Sequence, residues 1–252
     1  MDYTMAREFT LPSRGEIYNK PVNPLIKLRS MTVIEEMKRL GYTDTPYKVL
    51  CDIIDDCMVE KPGISSYDMC FGDYLFLLHR LRMVTYGSDY KTVSACPKCK
   101  LTNKFDLNLE DIDVLSDVEG FKDLLEIDLP VTGKHIRLKY QTPRTMDQIA
   151  MRQKEINEKS SGAQNNTAIV LQIQMAIDTI DGAKVELVKL EQFARTLPMR
   201  DANKILKTIE RLNEKVGLSS TVGHKCSQCG ADFSISFRYT SEFFRPTEDA
   251  WW

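Results

Sequence analysis

The spacing of hydrophobic residues along the first third of the chain predicts helices. Within 46–60 and within 67–85, apolar residues recur at steps of three and four, which indicates two helices that each bury one face. A shorter helix is predicted over 32–40, where Gly41 is the expected C-cap.

The second half of the chain is predicted to be mainly helical. Residues 145–216 carry this pattern, and within them 167–179 is predicted to be one apolar helix, followed by a turn at Asp181-Gly182. Upstream of these helices, 124–140 alternates around a turn region and predicts a β-hairpin.

Two CxxC motifs each lie at the turn of a further predicted hairpin. The first motif contains Cys96 and Cys99, and the second contains Cys226 and Cys229. Apolar and polar residues alternate in the strand that leaves each motif, which is the pattern of a half-buried strand. The alternating positions are Phe105, Leu107 and Leu109 after the first motif, and Phe233, Ile235, Phe237 and Tyr239 after the second.

Together the motifs predict one structural Zn²⁺ site with Cys96, Cys99, Cys226 and Cys229 as ligands. A tight turn with two residues between the thiolates aims both sulfurs at one ion, and two such turns complete a tetrahedral site. Four protein ligands leave no open position, so the site is expected to stabilise the fold and not to catalyse a reaction. The motifs are 127 residues apart (226 minus 99), whereas paired CxxC motifs are typically separated by about 15–20 residues.

The sequence leaves three other interpretations of the two CxxC motifs open. They could be two unrelated turns, a thiol redox pair, or part of a nucleic-acid-binding zinc ribbon. A thioredoxin-like CxxC opens a helix, whereas both motifs here precede strands. Lys98, Lys100 and Lys104 favour a nucleic-acid ligand, but the acidic stretch 110–128 and the formal net charge of −2 oppose it.

These elements predict an α+β fold with a helical N-terminal part and a split, zinc-ribbon-like pair of hairpins separated by a large, mainly helical insertion. The predicted divisions are an extended arm at 1–28, a helical region at 29–88, a split zinc-ribbon module at 89–110 and 219–240, an inserted hairpin-plus-helices subdomain at 111–218, and an aromatic tail at 241–252.

Composition and motif content narrow the function classes. With 252 residues and 42% hydrophobic content, the chain can form a substantial core without disulfides. No stretch approaches the roughly 20 apolar residues of a membrane-spanning helix, and the N-terminus lacks the pattern of a signal peptide. The sequence also lacks a phosphate-binding loop, a GxSxG motif and an HExxH motif, so the protein is predicted not to be an enzyme.

Charged residues on the predicted helices are interpreted by their helical position alone. Glu35 and Glu36 are taken as a solvated helix face. Arg80 and Arg82 are predicted to be solvated or to contact a partner chain, because they lie too far along the helix from Asp73 for a one-turn pair.

Three further stretches carry a family resemblance. They are Leu11-Pro-Ser-Arg-Gly-x-x-Tyr18, then Asp73-Tyr-Leu-x-Leu-Leu-x-Arg80-x-Arg82-x-x-Thr-Tyr-Gly87, and then Tyr90-x5-Cys96-Pro-Lys-Cys99 with Asn103 and the alternating strand. With the later CxxC, they resemble the baseplate protein family of T4-like contractile-tailed phages, the group that contains baseplate hub and hub-assembly proteins.

The resemblance implies a structural protein, or a chaperone-like assembly protein, of a phage tail baseplate hub. Such a protein is expected in the host cytoplasm during assembly or in the tail of the virion. The implied partners are other baseplate and hub proteins or further copies of the chain, with no membrane and no nucleic acid. The residues predicted to contact partners are Leu11, Pro12, Arg14, Tyr18, Arg80, Arg82, Trp251 and Trp252.

Overall fold

A computed structural model describes residues 5–159, 167–219, 221–236 and 241–244 of the chain. The helices are α1 Val33–Leu40, α2 Pro46–Cys57, α3 Phe71–Tyr86, α4 Val118–Asp123, α5 Pro143–Lys159, α6 Ala168–Ala176, α7 Leu187–Thr196 and α8 Met199–Asn213. The strands are β1 Ala6–Thr10, β2 Leu25–Arg29, β3 Asp89–Ala95, β4 Thr102–Asn108, β5 Val114–Ser116, β6 Glu126–Asp128, β7 His135–Leu138, β8 Ile177–Ile180, β9 Ala183–Lys184, β10 Val216–Leu218, β11 Thr221–Lys225 and β12 Asp232–Ser236. Short antiparallel sheets and separate helices make this an α+β fold, as the sequence predicts. Among the helices described, none combines the length and the apolar character needed to cross a membrane.

Most elements predicted from local patterns are confirmed. The helices predicted over 46–60 and 67–85 are α2 and α3, and α1 follows an N-cap at Thr32. Both cysteine hairpins are present, as β3 paired with β4 and β11 paired with β12. The hairpin predicted within 124–140 is β6 paired with β7.

Helix α3 lies at the centre of the larger hydrophobic core. Its residues are buried on nearly every side, so neighbouring elements must cover it all round. The strands β1, β2 and β10, the helix α2 and the short 3₁₀ turn Ser241–Phe244 all contact it. Segments from both ends of the described chain therefore contribute to one core.

A buried carboxylate at the start of α3 holds the N-terminal arm in place. The Asp73 carboxylate accepts hydrogen bonds from the backbone N–H of Ser13 (3.0 Å), from the Ser13 hydroxyl and from the Tyr18 hydroxyl (2.6 Å). Burial raises the pKa of Asp73, and the hydrogen bonds from Ser13 and Tyr18 oppose that rise. The arm between β1 and β2 thus folds back onto α3 because it supplies the donors that this carboxylate needs.

The segment between the two cysteine hairpins contains a second, smaller core. A four-stranded antiparallel sheet, in the order β6-β7-β8-β9, packs against apolar side chains of α6, α7 and α8. Asp201, at the start of α8, accepts hydrogen bonds from the backbone N–H groups of Val131 (2.8 Å) and Thr132 (2.9 Å). The loop between β6 and β7 is thereby joined to the helix layer.

The predicted helix over 167–179 is wrong in its last part. Helix α6 ends at Ala176, and β8 begins at Ile177, which pairs with Leu138 of β7. A short apolar run does not distinguish helix from strand, and the β-branched residues of β8 favour the strand once a partner strand is available. The predicted turn at Asp181-Gly182 is confirmed, with φ of 50° and 78°.

The two ends of the segment between the hairpins meet beside α3. Strand β5 pairs with β10, with Ser116 opposite Val216. At the first turn of α3, Gly72 lies so close to this ladder that a Cβ atom there would be 1.9 Å from the carbonyl oxygen of Val216. Gly217, the next residue of β10, has a φ of 139°, which favours glycine. Two glycines therefore permit the close contact between α3 and β10.

The interpretation of Glu35 as a solvated residue is wrong. Glu35 is only 4% exposed, and its carboxylate accepts hydrogen bonds from Arg29 (2.8 Å) and from the backbone N–H of Thr32 (2.7 Å). Thr32 and Glu35 form a capping box, which fixes both the start of α1 and the direction in which Glu35 points. Helix α1 thus turns charged residues toward the body of the protein.

We expect Asp73→Ala to lower the free energy of unfolding by about 3 kcal/mol, because it leaves buried donors of the arm without an acceptor. Urea denaturation followed by far-UV circular dichroism measures this change. Asp123→Ala, at an exposed aspartate of α4, is the matched control and should stay within about 0.5 kcal/mol of the wild type. Equal losses for the two variants would contradict the role assigned to Asp73.

Candidate metal centre

Each CxxC motif forms its turn with the same local geometry. The backbone N–H of Lys100 donates to the carbonyl oxygen of Cys96 (2.9 Å), and that of Gly230 donates to the carbonyl oxygen of Cys226 (3.0 Å). Lys100 and Gly230 are both left-handed, with φ of 62° and 64°. The two turns are therefore structural copies, although one uses lysine where the other uses glycine.

The two turns bring the four cysteine sulfurs into one cluster. The Sγ atoms of Cys96 and Cys229 are 3.7 Å apart, those of Cys99 and Cys226 are 3.5 Å apart, and all four lie within 4.8 Å of one another. Tetrahedral coordination with Zn–S bonds of about 2.3 Å places sulfurs about 3.8 Å apart, whereas a disulfide requires about 2.05 Å. The spacing fits ligation of a common ion and does not fit disulfide pairing.

Backbone N–H groups of the turns point at the sulfurs and stabilise thiolates there. The N–H of Cys99 is the main cause of a lowered pKa at Cys96, and the N–H of Cys229 is the main cause that lowers the pKa of Cys226 to about 6. Cys99 accepts from the N–H of Leu101, which acts to lower its pKa, but burial and the adjacent thiols raise it to about 11. Four negative charges cannot share this volume, so the cluster requires either protons or a cation.

Asn103 connects the two hairpins beside the sulfur cluster. Its Oδ1 accepts hydrogen bonds from the backbone N–H (3.1 Å) and the hydroxyl (2.9 Å) of Ser227, and its Nδ2 lies 3.7 Å from Sγ of Cys226. The sequence did not predict a role for Asn103 at the site. Asparagine is uncommon within strands, and this unusual position next to a CxxC was the signal that could have identified it.

Aromatic side chains extend the contact between the hairpins away from the cysteines. The ring of Phe105 on β4 lies 4.5 Å from the ring of His224 and 5.9 Å from the ring of Phe233, both on the second hairpin. His224 is therefore part of the packing between hairpins, beside the sulfur cluster. These contacts give the two hairpins an apolar interface in addition to the cysteines.

The predicted partner-contact residues of the arm lie mostly inside the protein. Leu11, Pro12 and Tyr18 are buried, and the Tyr18 hydroxyl is one of the donors to the carboxylate at the start of α3. Arg14 is exposed, in a turn where its φ is 53°. Of the four arm residues, Arg14 alone presents its side chain to solvent.

The expectation that Arg80 and Arg82 are solvated is wrong. They are 9% and 2% exposed, respectively. The guanidinium of Arg80 lies 4.9 Å from the ring centroid of Phe76. Arg82 donates to the carbonyl oxygens of Gly87 (2.7 Å) and Phe243 (3.2 Å), so main-chain oxygens take the place of water around its charge.

The remaining predicted partner residues lie outside the described part of the chain: Trp251 and Trp252.

Comparison with known proteins identifies the family to which the chain belongs. A family model described as "T4 bacteriophage base plate protein" matches residues 3–245, a range that includes the arm, α3 and both cysteine hairpins. Neither a curated protein nor a solved structure matches the chain. Because the family model spans nearly the whole sequence, the chain belongs to the family of T4 bacteriophage base plate proteins, as the resemblance implied, and its role lies in the phage baseplate.

Proposed function

We propose that this chain is a structural or chaperone-like assembly protein of the baseplate hub, and that one structural Zn²⁺ stabilises its fold. The ligands would be Cys96, Cys99, Cys226 and Cys229. The observation that carries the zinc proposal is the convergence of four sulfurs, from turns far apart in the sequence, at the spacing of a tetrahedral site. Thiolates are soft ligands that zinc prefers in such closed sites.

The surroundings of the cluster favour a structural site over a catalytic one. Four cysteine ligands fill all the positions of a tetrahedral ion, which leaves none for substrate or water. Backbone N–H groups of both turns and the amide of Asn103 face the sulfurs, and they orient the ligands as the outer groups of a metal site do. When bound, the ion would supply positive charge that offsets the repulsion between the neighbouring thiolates.

The buried carboxylates also support a role without catalysis. Asp73 holds the arm, and Asp201 caps the turn between β6 and β7. Asp147 accepts hydrogen bonds from the backbone N–H of Lys48 (2.8 Å), at the start of α2, and from the hydroxyl of Tyr67 (3.1 Å). Each carboxylate is thus committed to joining elements of the fold, which suits a protein that acts by binding its neighbours.

We place the action of the protein in the host cytoplasm while the hub is built, either as a lasting part of the tail or as a factor that leaves. In the proposed division, the ribbon module at 89–110 and 219–240 is one unit interrupted by the subdomain 111–218. The ladder between β5 and β10 supports that division, because it joins the two ends of the insertion. In this division, the rest of the chain consists of the arm, the helical region and the C-terminal tail.

Purified protein should contain about one zinc ion per chain, measured by elemental mass spectrometry after preparation in reducing buffer without chelator. A thiol reagent should modify the four clustered cysteines only after a chelator removes the metal, because bound thiolates are unreactive. Cys51, Cys57 and Cys70 are buried and should stay protected as long as the protein remains folded. Folded protein that is free of metal and reacts at the cluster at once would refute the zinc site.

Substitution Cys99→Ser should remove zinc and lower the melting temperature by roughly 10 °C or more, as a loss of several kcal/mol does for a chain of this size. Differential scanning calorimetry, together with metal analysis, measures both effects. Cys57→Ser is the control, since Cys57 is buried outside the cluster and its replacement should leave the zinc content unchanged. Unchanged melting of Cys99→Ser would count against the metal as a stabiliser.

Deleting the gene from the phage that encodes this chain should leave infected cells with incomplete baseplates, and a plasmid copy should restore them. Electron microscopy of lysates and plaque counts measure the outcome. Mass spectrometry of purified virions then separates a lasting hub component, which is present, from an assembly factor, which is absent. Normal baseplates and normal plaque yield without the chain would sink the proposed role.

A further inference from the structure

Helix α1 has the opposite orientation to that of an ordinary surface helix. The charged side chain of Glu35 faces the protein, while the large apolar side chains of the helix face solvent. The exposed fractions are 74% for Val33, 65% for Ile34, 69% for Met37, 66% for Leu40 and 93% for Tyr42, which follows the helix. We call these five residues the α1 face.

The outward direction of the α1 face is fixed by polar contacts on the opposite side of the helix. Glu35 is held by Arg29 and by the N-cap Thr32, and the Arg39 side chain is buried against Glu36. Rotating α1 to bury its apolar residues would break the ion pair between Glu35 and Arg29 and the capping box at Thr32. These contacts fix which side of α1 faces the body of the protein, and so they hold the α1 face outward.

The arrangement of the α1 face matches the way a helix is recognised by a groove. Val33, Met37 and Leu40 lie at positions i, i+4 and i+7, which form one stripe, and Ile34 widens it. The helix has 8 residues, so the stripe is about 12 Å long. We propose that the α1 face docks into an apolar groove of a different protein of the baseplate, an inference that rests on the proposed baseplate role for the identity of the partner.

A second copy of the chain fits the α1 face less well than a groove does. Two α1 helices packed antiparallel about a two-fold axis place each edge of the stripe opposite itself, so the contact is limited to the two stripes. The five side chains expose several hundred square ångströms, the size of a large surface patch but short of the roughly 800 Å² per partner of a standard interface. A groove also covers the flanks of the helix and so reaches a sufficient area.

The test uses the phage that lacks this gene, complemented by a plasmid copy that carries Val33→Asp together with Met37→Glu. We expect the plaque yield to fall at least about tenfold, because charges enter an apolar groove. Val188→Asp is the matched control: Val188 is 78% exposed and lies in the first turn of α7, as Val33 lies in the first turn of α1. An aspartate is favourable in a first helical turn, so both substitutions leave their helices intact.

The purified double variant should keep the melting temperature and the zinc content of the wild type, which separates a lost contact from a lost fold. A photo-crosslinking amino acid in place of Met37 should join the chain, during infection, to one identified phage protein other than itself. The same amino acid in place of Val188 should not. The crosslink is read by mass spectrometry of the joined peptides.

Full complementation by the double variant would overturn the proposal. A wild-type dimer in sedimentation experiments that the double variant fails to form would also overturn it, since the face would then belong to a second copy. If phage without the gene grow normally, the baseplate role fails instead, and the crosslink from position 37 alone decides whether the α1 face binds another protein.

Discussion

Two buried charges on α3 draw in segments that are remote in sequence. Asp73 accepts hydrogen bonds from Ser13 and Tyr18 of the arm, and Arg82 donates to main-chain oxygens that include that of Phe243. A buried charge without partners costs several kcal/mol, so a helix that carries Asp73 and Arg82 can be buried only when their partners are in place. The arm and the segment 241–244 are therefore required parts of the core.

The ladder between β5 and β10 brings the cysteine hairpins near each other. Strand β5 comes shortly after β4 of the first hairpin, and β10 comes shortly before β11 of the second. Pairing of β5 with β10 already joins the two ends of the long insertion. A metal ion bound at the cluster would then join two hairpins that the fold has already placed together, and the entropy of closing the long loop would be met by the rest of the fold. The metal would accordingly stabilise the hairpins more than it stabilises α3.

Features with a local cause were predictable from the sequence, and so was one contact between remote segments, the cysteine cluster, because its ligand type is distinctive. Other features with a remote cause were not. The α2 and α3 helices and the cysteine hairpins each have their own periodicity, and the cysteine cluster follows from ligand type and spacing. Strand β8 was missed because it continues the apolar run of α6 and becomes a strand only through pairing with β7. The role of Asn103 depends on the second hairpin, and the burial of Arg82 depends on carbonyl oxygens brought in from elsewhere.

Helix α1 shows that the charge of a side chain does not by itself predict its exposure to solvent. Glu35 was assigned to the surface because it is an acidic residue of a short helix, yet Arg29 on β2 and the capping box draw it inward. Two helical turns cannot bury both faces, so the polar contacts leave Val33, Met37 and Leu40 in water. Burying a side chain of this kind contributes about 1.5–3 kcal/mol, which this chain does not gain within its own fold. In a protein whose role lies in a multi-protein baseplate, that free energy remains available for association with a neighbour.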